Sequence, residues 1–267
     1  MTLDLFFRED GNPAGPAVLL VHAFPTSHEL WDPQIDALSA RYRVIRPDLR
    51  GFGRSPVAAS PFRLEHMADD LVALLDRLDI AQVHYVGISM GGMVGQIMAL
   101  NYPERLCSLA LCMTTSEIPL HAPPEDDPSR SISQSMLALA GQRALSEGMT
   151  TIANSCLERW FDADFAKTAH ARKVANIIAA NSAVGYSAGA DGLCQFDVSK
   201  RLHELQTPTT VLYGELDPVT PPRCSHRLVD LIPKAHLDVV LGARHIANVE
   251  QPESFNIKLL NHLERLR

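Results

Sequence analysis

A serine hydroxyl is a weak nucleophile at neutral pH, so a chain that uses one must hold it where a base and two N–H donors can reach it. Residues 82–100 meet that need. Val83 to Val86 is a β-rich apolar run, Gly87-Ile88-Ser89-Met90-Gly91 is a turn, and Gly91-Gly92 opens a helical run. This strand, turn and helix make a nucleophile elbow, in which small residues two before and two after the serine let neighbouring chain pass close. Ser89 is therefore the candidate nucleophile. A second pentapeptide, Gly185-Tyr186-Ser187-Ala188-Gly189, has the same pattern but follows the helical Ile177-Ile178-Ala179-Ala180-Asn181. Ser187 lacks the setting that makes the pattern chemical.

A serine needs a base, and the base needs an orienting group, with the acid and then the histidine following the serine along the chain. Gly214-Glu215-Leu216-Asp217-Pro218 comes directly after the strand-like Thr209–Tyr213, which places its acids at the carboxyl edge of a sheet, where open α/β sheets carry their sites. Asp217 is the orienting candidate, with Glu215 as the alternative. Eleven histidines compete for the base. His84 falls inside a strand, and His66, His203, His226 and His262 fall in helical stretches. His245 instead follows strand Ala235–Leu241 through Gly242-Ala243-Arg244, at the same sheet edge as the other two. For the oxyanion, the N–H of Met90 is one donor and the N–H of Phe24, in the His22-Ala23-Phe24-Pro25 turn after Val18-Leu19-Leu20-Val21, is the other. An ordinary strand-end turn is the alternative reading of residues 22–25.

Short apolar runs alternate with helical patterns: Ala17–Val21 then Leu30–Leu38, Tyr42–Ile45 then Leu64–Leu78, Val83–Val86 then Met90–Leu100, and Leu106–Cys112. This is the rhythm of an α/β chain with a mostly parallel sheet flanked by helices. Leu64, Met67, Leu71, Leu74, Leu75 and Leu78 make one apolar face against Asp69, Asp70, Asp76 and Arg77. The rhythm breaks at Ile118 to Pro128, read as loop, and becomes helical from about Ser129 to Gln195. It resumes with Thr209–Tyr213, a helix over Arg223–Leu231, a strand over Ala235–Leu241 and a helix from Glu253 to Leu266. Residues 1–114 and 196–267 are thus expected to form one core, with 115–195 as an inserted helical lid. Met136, Trp160 and Phe161 in that lid are the candidate substrate-binding residues.

Composition bounds the partners. The chain has 267 residues, 46% hydrophobic, with a formal charge of −7 and no basic run, which argues against nucleic acid or an anionic membrane surface and favours a small molecule. Its five cysteines have no Cys-x-x-Cys spacing and read as reduced and buried. No basic leader and no run of 18 apolar residues occurs, so the expectation is a cytoplasmic protein; its oligomeric state, a homodimer included, is open. The Asp48-Leu49-Arg50-Gly51-Phe52-Gly53-Arg54-Ser55 segment lacks the third glycine of a dinucleotide loop, and there is no metal-binding spacing. No metal and no cofactor is expected.

Together the His22-Ala23-Phe24-Pro25 turn, Asp48 to Ser55, the Ser89 elbow, Asp217 and His245 resemble the α/β-hydrolase superfamily over essentially the whole chain. Gly87-Ile88-Ser89-Met90-Gly91-Gly92, Gly214-Glu215-Leu216-Asp217 with Thr220-Pro221-Pro222, Leu231-Ile232-Pro233 and Val249-Glu250-Gln251-Pro252-Glu253 look most like the 3-oxoadipate enol-lactonase and small-carboxylesterase branch. Two departures stand out. Ala23 replaces the glycine of His-Gly-Phe-Pro, and Arg244 precedes the histidine where Gly-x-Gly-His is usual, close enough to shift the base or touch substrate.

The resemblance implies a serine hydrolase of carboxylic esters or lactones, working through an acyl-enzyme because serine stands where dehalogenase and epoxide-hydrolase relatives use aspartate. A perhydrolase of the non-haem haloperoxidase type, a carbon–carbon bond hydrolase and a non-catalytic ligand-binding receptor are the alternatives. Residues 114–196 hold six basic side chains (Arg130, Arg143, Arg159, Lys167, Arg172, Lys173) against nine acidic ones. The lid does not steer anions, although one placed arginine would hold a substrate carboxylate.

Overall fold

The computed structural model describes residues 2–57, 62–118 and 134–265. Seven strands form one sheet in the order β1-β3-β2-β4-β5-β6-β7: β1 (Phe7–Gly11), β2 (Ala17–Val21), β3 (Arg43–Pro47), β4 (Val83–Ile88), β5 (Leu106–Cys112), β6 (Thr209–Gly214) and β7 (His236–Val240). β1 runs antiparallel to β3, and every other pairing is parallel. The central strands are near-continuous apolar runs because both faces of a parallel sheet are covered. Val18 and Leu20 pack to one face and Leu19 and Val21 to the other.

The sequence reading does not include β1, whose single apolar residue, Phe7, precedes Arg8, Glu9 and Asp10. It is an edge strand held by ion pairs from Glu9 to Arg43 and from Asp10 to Arg46, a charged edge that resists further strand addition. The expected helix over 30–38 is instead a 3₁₀ turn at His28–Gln34 followed by the short α1 (Ile35–Ser39). Pro33, within it, has no N–H to give to an α-helical ladder.

α2 (Leu64–Arg77) buries the predicted leucine face against the sheet, with Leu78 half-buried just beyond its end. Asp70, expected on the charged side, is instead fully buried and paired with Arg50 at 2.6 Å. α3 (Met90–Asn101) is apolar on all sides and buried from Met90 to Ala99, as a helix enclosed in a core must be. α8 (Pro222–Leu231), the single-turn α9 (Ala247–Glu250) and α10 (Pro252–Glu264) complete the layers. Leu266, the expected end of the last helix, lies outside the described residues.

Between β5 and β6 the chain forms α4 (Gln134–Glu147), α5 (Met149–Trp160), α6 (Ala169–Ala179) and α7 (Ala183–Leu193), with α4 packed on α7 and α5 on α6. The two ends of this insertion meet where Glu117 bridges Asp197 and the Ile118 N–H donates to Phe196 at 2.8 Å. Most of the expected loop, residues 119–128, and Arg130 lie outside the described residues. The cysteines carry no disulfide, and three are buried, but Cys107 is exposed and Cys194 half-buried. Cys107 lies near the start of strand β5, outside the enclosed part of the sheet. No described helix is long and apolar enough to cross a membrane, and no described cluster of three His, Cys, Asp or Glu side chains could hold a metal.

Candidate active site

Parallel strands deliver their loops to one edge, and four of these loops converge: residue 89 after β4, 217 after β6, 245 beyond β7, and the 22–25 turn after β2. Ser89 sits at φ 54°, ψ −116°, a conformation that costs a non-glycine residue on the order of 1–3 kcal/mol and needs surrounding structure to hold it. Its N–H donates to the Cys112 carbonyl at 2.9 Å, and its own carbonyl accepts from the Thr114 hydroxyl at 2.7 Å. The flanking glycines are required by space. A Cβ at Gly91 would lie 2.2 Å from the Val21 carbonyl oxygen, and one at Gly87 would lie 2.3 Å from the Gly91 carbonyl oxygen. Ser187 lies instead inside α7, half-buried where that helix meets Gly141 of α4. Its pentapeptide is ordinary helix.

The structure brings Ser89, His245 and Asp217 together. His245, 1% exposed, has Nε2 3.0 Å from the Ser89 Oγ and Nδ1 2.8 Å from Asp217 Oδ2. An ionised carboxylate only accepts, so Nδ1 carries the proton and Nε2 is left to accept from serine. Asp217 is fixed in turn: Oδ1 accepts the N–H groups of Val219 and Thr220 at 2.7 and 3.1 Å, and Oδ2 accepts the Thr220 hydroxyl at 2.7 Å. Thr220 opens the Thr220-Pro221-Pro222 motif, and the signal for its role is its spacing of three residues after an aspartate, which suits a local side-chain turn. Glu215, the alternative acid, faces away and accepts the exposed Gly242 N–H at 2.8 Å.

The 22–25 turn is braced by His22, whose Nδ1 donates to the Ala23 carbonyl at 2.9 Å while Nε2 accepts the Leu49 N–H at 3.0 Å. Burial lowers the His22 pKa against the opposing pull of Asp48, which keeps the ring neutral and able to play both parts. Asp48 holds the neighbouring turn through His28 and the Arg54 N–H at 2.9 Å. Ala23 is outside the positive-φ region, so a methyl in place of the usual glycine is no strain there. Among the described residues the N–H groups of Phe24 and Met90 meet no acceptor. The second is at the first turn of α3, where the helix dipole favours negative charge.

Ser89 and His245 open onto a cavity of about 350 Å³ lined mainly by apolar side chains, among them Phe24, Met136, Trp160, Tyr186 and Val219. The Trp160 ring lies 5.9 Å from the His245 ring, and Tyr186 lies 4.6 Å from Phe24. Phe161 does not line the cavity. The chain leaves α5 in an extended conformation there and turns Phe161 into the core against Phe165 at 5.0 Å. Arg143 and Arg159 stand in the cavity wall. Arg143 is held by Glu147 at 2.9 Å, whereas Arg159 donates to the Ser155 carbonyl at 3.4 Å and has no carboxylate partner among the described residues. Arg244 is not part of the wall; its N–H donates to Glu250, and its charge acts on Asp162 and Glu250.

A family model described as the alpha/beta hydrolase fold matches residues 16–252. A protein of Acinetobacter baylyi named 3-oxoadipate enol-lactonase 2 is 34% identical over 92% of this chain and 88% of its own. Among solved structures, an esterase from Thermogutta terrifontis with malate bound superposes with a TM-score of 0.88 at 30% identity, covering 99% of this chain and 94% of that one. The enol-lactonase from Burkholderia xenovorans LB400 superposes with a TM-score of 0.87 at 28% identity, covering 97% and 96%.

Proposed function

The chain belongs to the α/β-hydrolase fold family, and on that premise we propose that it is a serine hydrolase that cleaves a carboxylic ester or lactone through an acyl-enzyme. The observation that carries the reading is the 3.0 Å approach of His245 Nε2 to the Ser89 Oγ, with Asp217 at 2.8 Å behind the imidazole. In the proposed reaction Ser89 attacks the carbonyl carbon as its proton passes to His245. Asp217 keeps the imidazole in the required tautomer and stabilises the imidazolium. The Phe24 and Met90 N–H groups hold the oxyanion, a contribution of about 3–4 kcal/mol per donor in comparable sites. His245 then protonates the leaving alkoxide, and water activated by the same imidazole releases the acid. The described residues of 1–114 and 196–267 serve as the core, and those of 115–195 as the lid over it.

The finer reading is an enol-lactonase-like enzyme, supported by the Acinetobacter and Burkholderia relatives. A lactone that also carries a free carboxylate calls for a cation, and Arg159 in the cavity wall answers that need. The malate held by the Thermogutta esterase, a dicarboxylate, is in keeping with it. The test compares kcat/KM for 3-oxoadipate enol-lactone and for p-nitrophenyl acetate on one preparation, with Ser89→Ala as the blank. The lactone is expected to exceed the acetate by orders of magnitude, and Arg159→Ala to raise KM for the lactone about tenfold while leaving acetate unchanged. Acetate turnover with negligible lactone turnover would discard the lactonase reading and keep the esterase one.

A further inference from the structure

Glu250 ends α9, is 6% exposed, and has both carboxylate oxygens spent on backbone N–H donors from two different segments. Oε1 accepts the Asp162 N–H at 3.1 Å, two residues beyond Trp160, and Oε2 accepts the Arg244 N–H, one residue before His245. The rings of Trp160 and His245 are neighbours, their centroids 5.9 Å apart and their planes tilted by 49°, so one carboxylate grips the chain beside each member of that pair. The grip is anchored. Asn248 in the same turn of helix donates to the Leu30 carbonyl at 2.9 Å and receives Gln34 on its own carbonyl at 2.9 Å. On its other side the histidine loop is tied to the acid loop by the Leu216 N–H on the Ala243 carbonyl at 2.9 Å.

From this geometry we propose that Glu250 is a positioning residue, which locks the histidine loop and the Trp160 end of the insertion into one unit so that the His245 imidazole is aimed at Ser89. The inference rests on the reading of Ser89 and His245 as nucleophile and base. An ionised carboxylate accepts both N–H groups; a protonated one turns an O–H toward a second donor and loses one of the two. Burial raises the Glu250 pKa, with the Asp162 charge acting the same way and the two N–H donors and the Arg244 charge opposing. The charged groups facing it are Asp162 from the segment after α5 and Arg244 from the histidine loop. Acid therefore releases the grip at a higher pH than it would protonate an exposed glutamate.

The experiment measures kcat and KM for p-nitrophenyl acetate, on the full chain, across the pH range in which circular dichroism shows the fold intact. Glu250→Gln is expected to lower kcat by about 10- to 100-fold, the scale of a small misplacement of a reacting group, with KM within about twofold. It is also expected to change the acid limb of log kcat/KM from two protons to one, and Glu250→Asp, which restores the charge, to recover part of the rate. Full activity in Glu250→Gln, or an unchanged two-proton limb, overturns the proposal. If the glutamine variant does not fold, the wild-type profile decides, and an acid limb of slope one throughout overturns it. A fully active Ser89→Ala would instead sink the underlying reading, whatever Glu250 does.

Discussion

Among the described residues, two serine–histidine pairs are buried at almost the same distance. Ser89 Oγ lies 3.0 Å from His245 Nε2, and Ser108 Oγ lies 2.9 Å from His262 Nε2. Even the far nitrogen is alike, with Nδ1 2.8 Å from Asp217 in the first and 2.8 Å from the Thr210 hydroxyl in the second. What differs is everything around them. Ser89 stands at a positive φ at a strand end and opens onto a cavity beside two N–H groups, whereas Ser108 lies within β5, fully buried. Asp217 presents a carboxylate to Nδ1; Thr210 presents only a hydroxyl. Burial, with His84, Arg265 and His236 adding to it, lowers the His262 pKa to about 3, so that ring stays neutral and serves as a structural link between sheet and α10. A short serine–histidine distance is thus common to both, and the carboxylate, the cavity and the donors are what separate chemistry from architecture.

Substitutions can break that contrast. The largest expected effect is Ser89→Ala, which should cost about 10⁶-fold in kcat with an unchanged melting curve, while Ser108→Ala should leave kcat per folded molecule alone. Next, Asp217→Asn should lower kcat about 10⁴-fold by stabilising the wrong tautomer. Its counterpart, Thr210→Val, should leave kcat unchanged. A loss of activity in the second pair comparable to the first would collapse the distinction.

The pH dependence of stability sharpens it. The unfolded chain protonates His262 near its ordinary 6.5 and the folded chain only near about 3, so the unfolded state binds more protons over that window and stability falls as pH falls below 6.5. The slope from this group is about 1.4 kcal/mol per pH unit. Urea unfolding of wild type and His262→Asn at pH values across the window should show the variant flatter by about that amount. Smallest of all, Ser108→Ala leaves His84 and His262 without their shared partner and should cost about 1–3 kcal/mol at neutral pH, read from the same unfolding curves.

The strand-end positions of 89, 217 and 245 were legible because parallel strands are apolar runs whose ends are marked by Gly-rich or Asp-Pro turns. Order along the chain separated His245 from the histidines inside elements, but nothing in the sequence announces that His262 and Ser108 meet. Trp160 and Phe161 are adjacent aromatics at a helix end, and which of them turns to the cavity depends on where α5 stops, a boundary that periodicity does not settle. β1 was hidden because an edge strand can be charged on both faces. Asp70 was misplaced for the opposite reason, since an acid on a polar stripe is buried when Arg50 arrives from 20 residues away in sequence. Glu250 and Asn181, which joins the Gly53 N–H to the Pro25 carbonyl at 2.6 and 3.1 Å, act through backbone groups that sequence does not mark.

The central claim is that Ser89 is acylated and Ser108 and Ser187 are not. Acid-quenching the protein early in turnover of p-nitrophenyl acetate and mapping its peptides by mass spectrometry tests it directly. The account predicts a single acetyl group on the peptide that carries Ser89, absent from Ser89→Ala and accumulating in a burst that matches the released nitrophenol. Turnover with no acetyl on Ser89, or the same acetylation in Ser89→Ala, would contradict it.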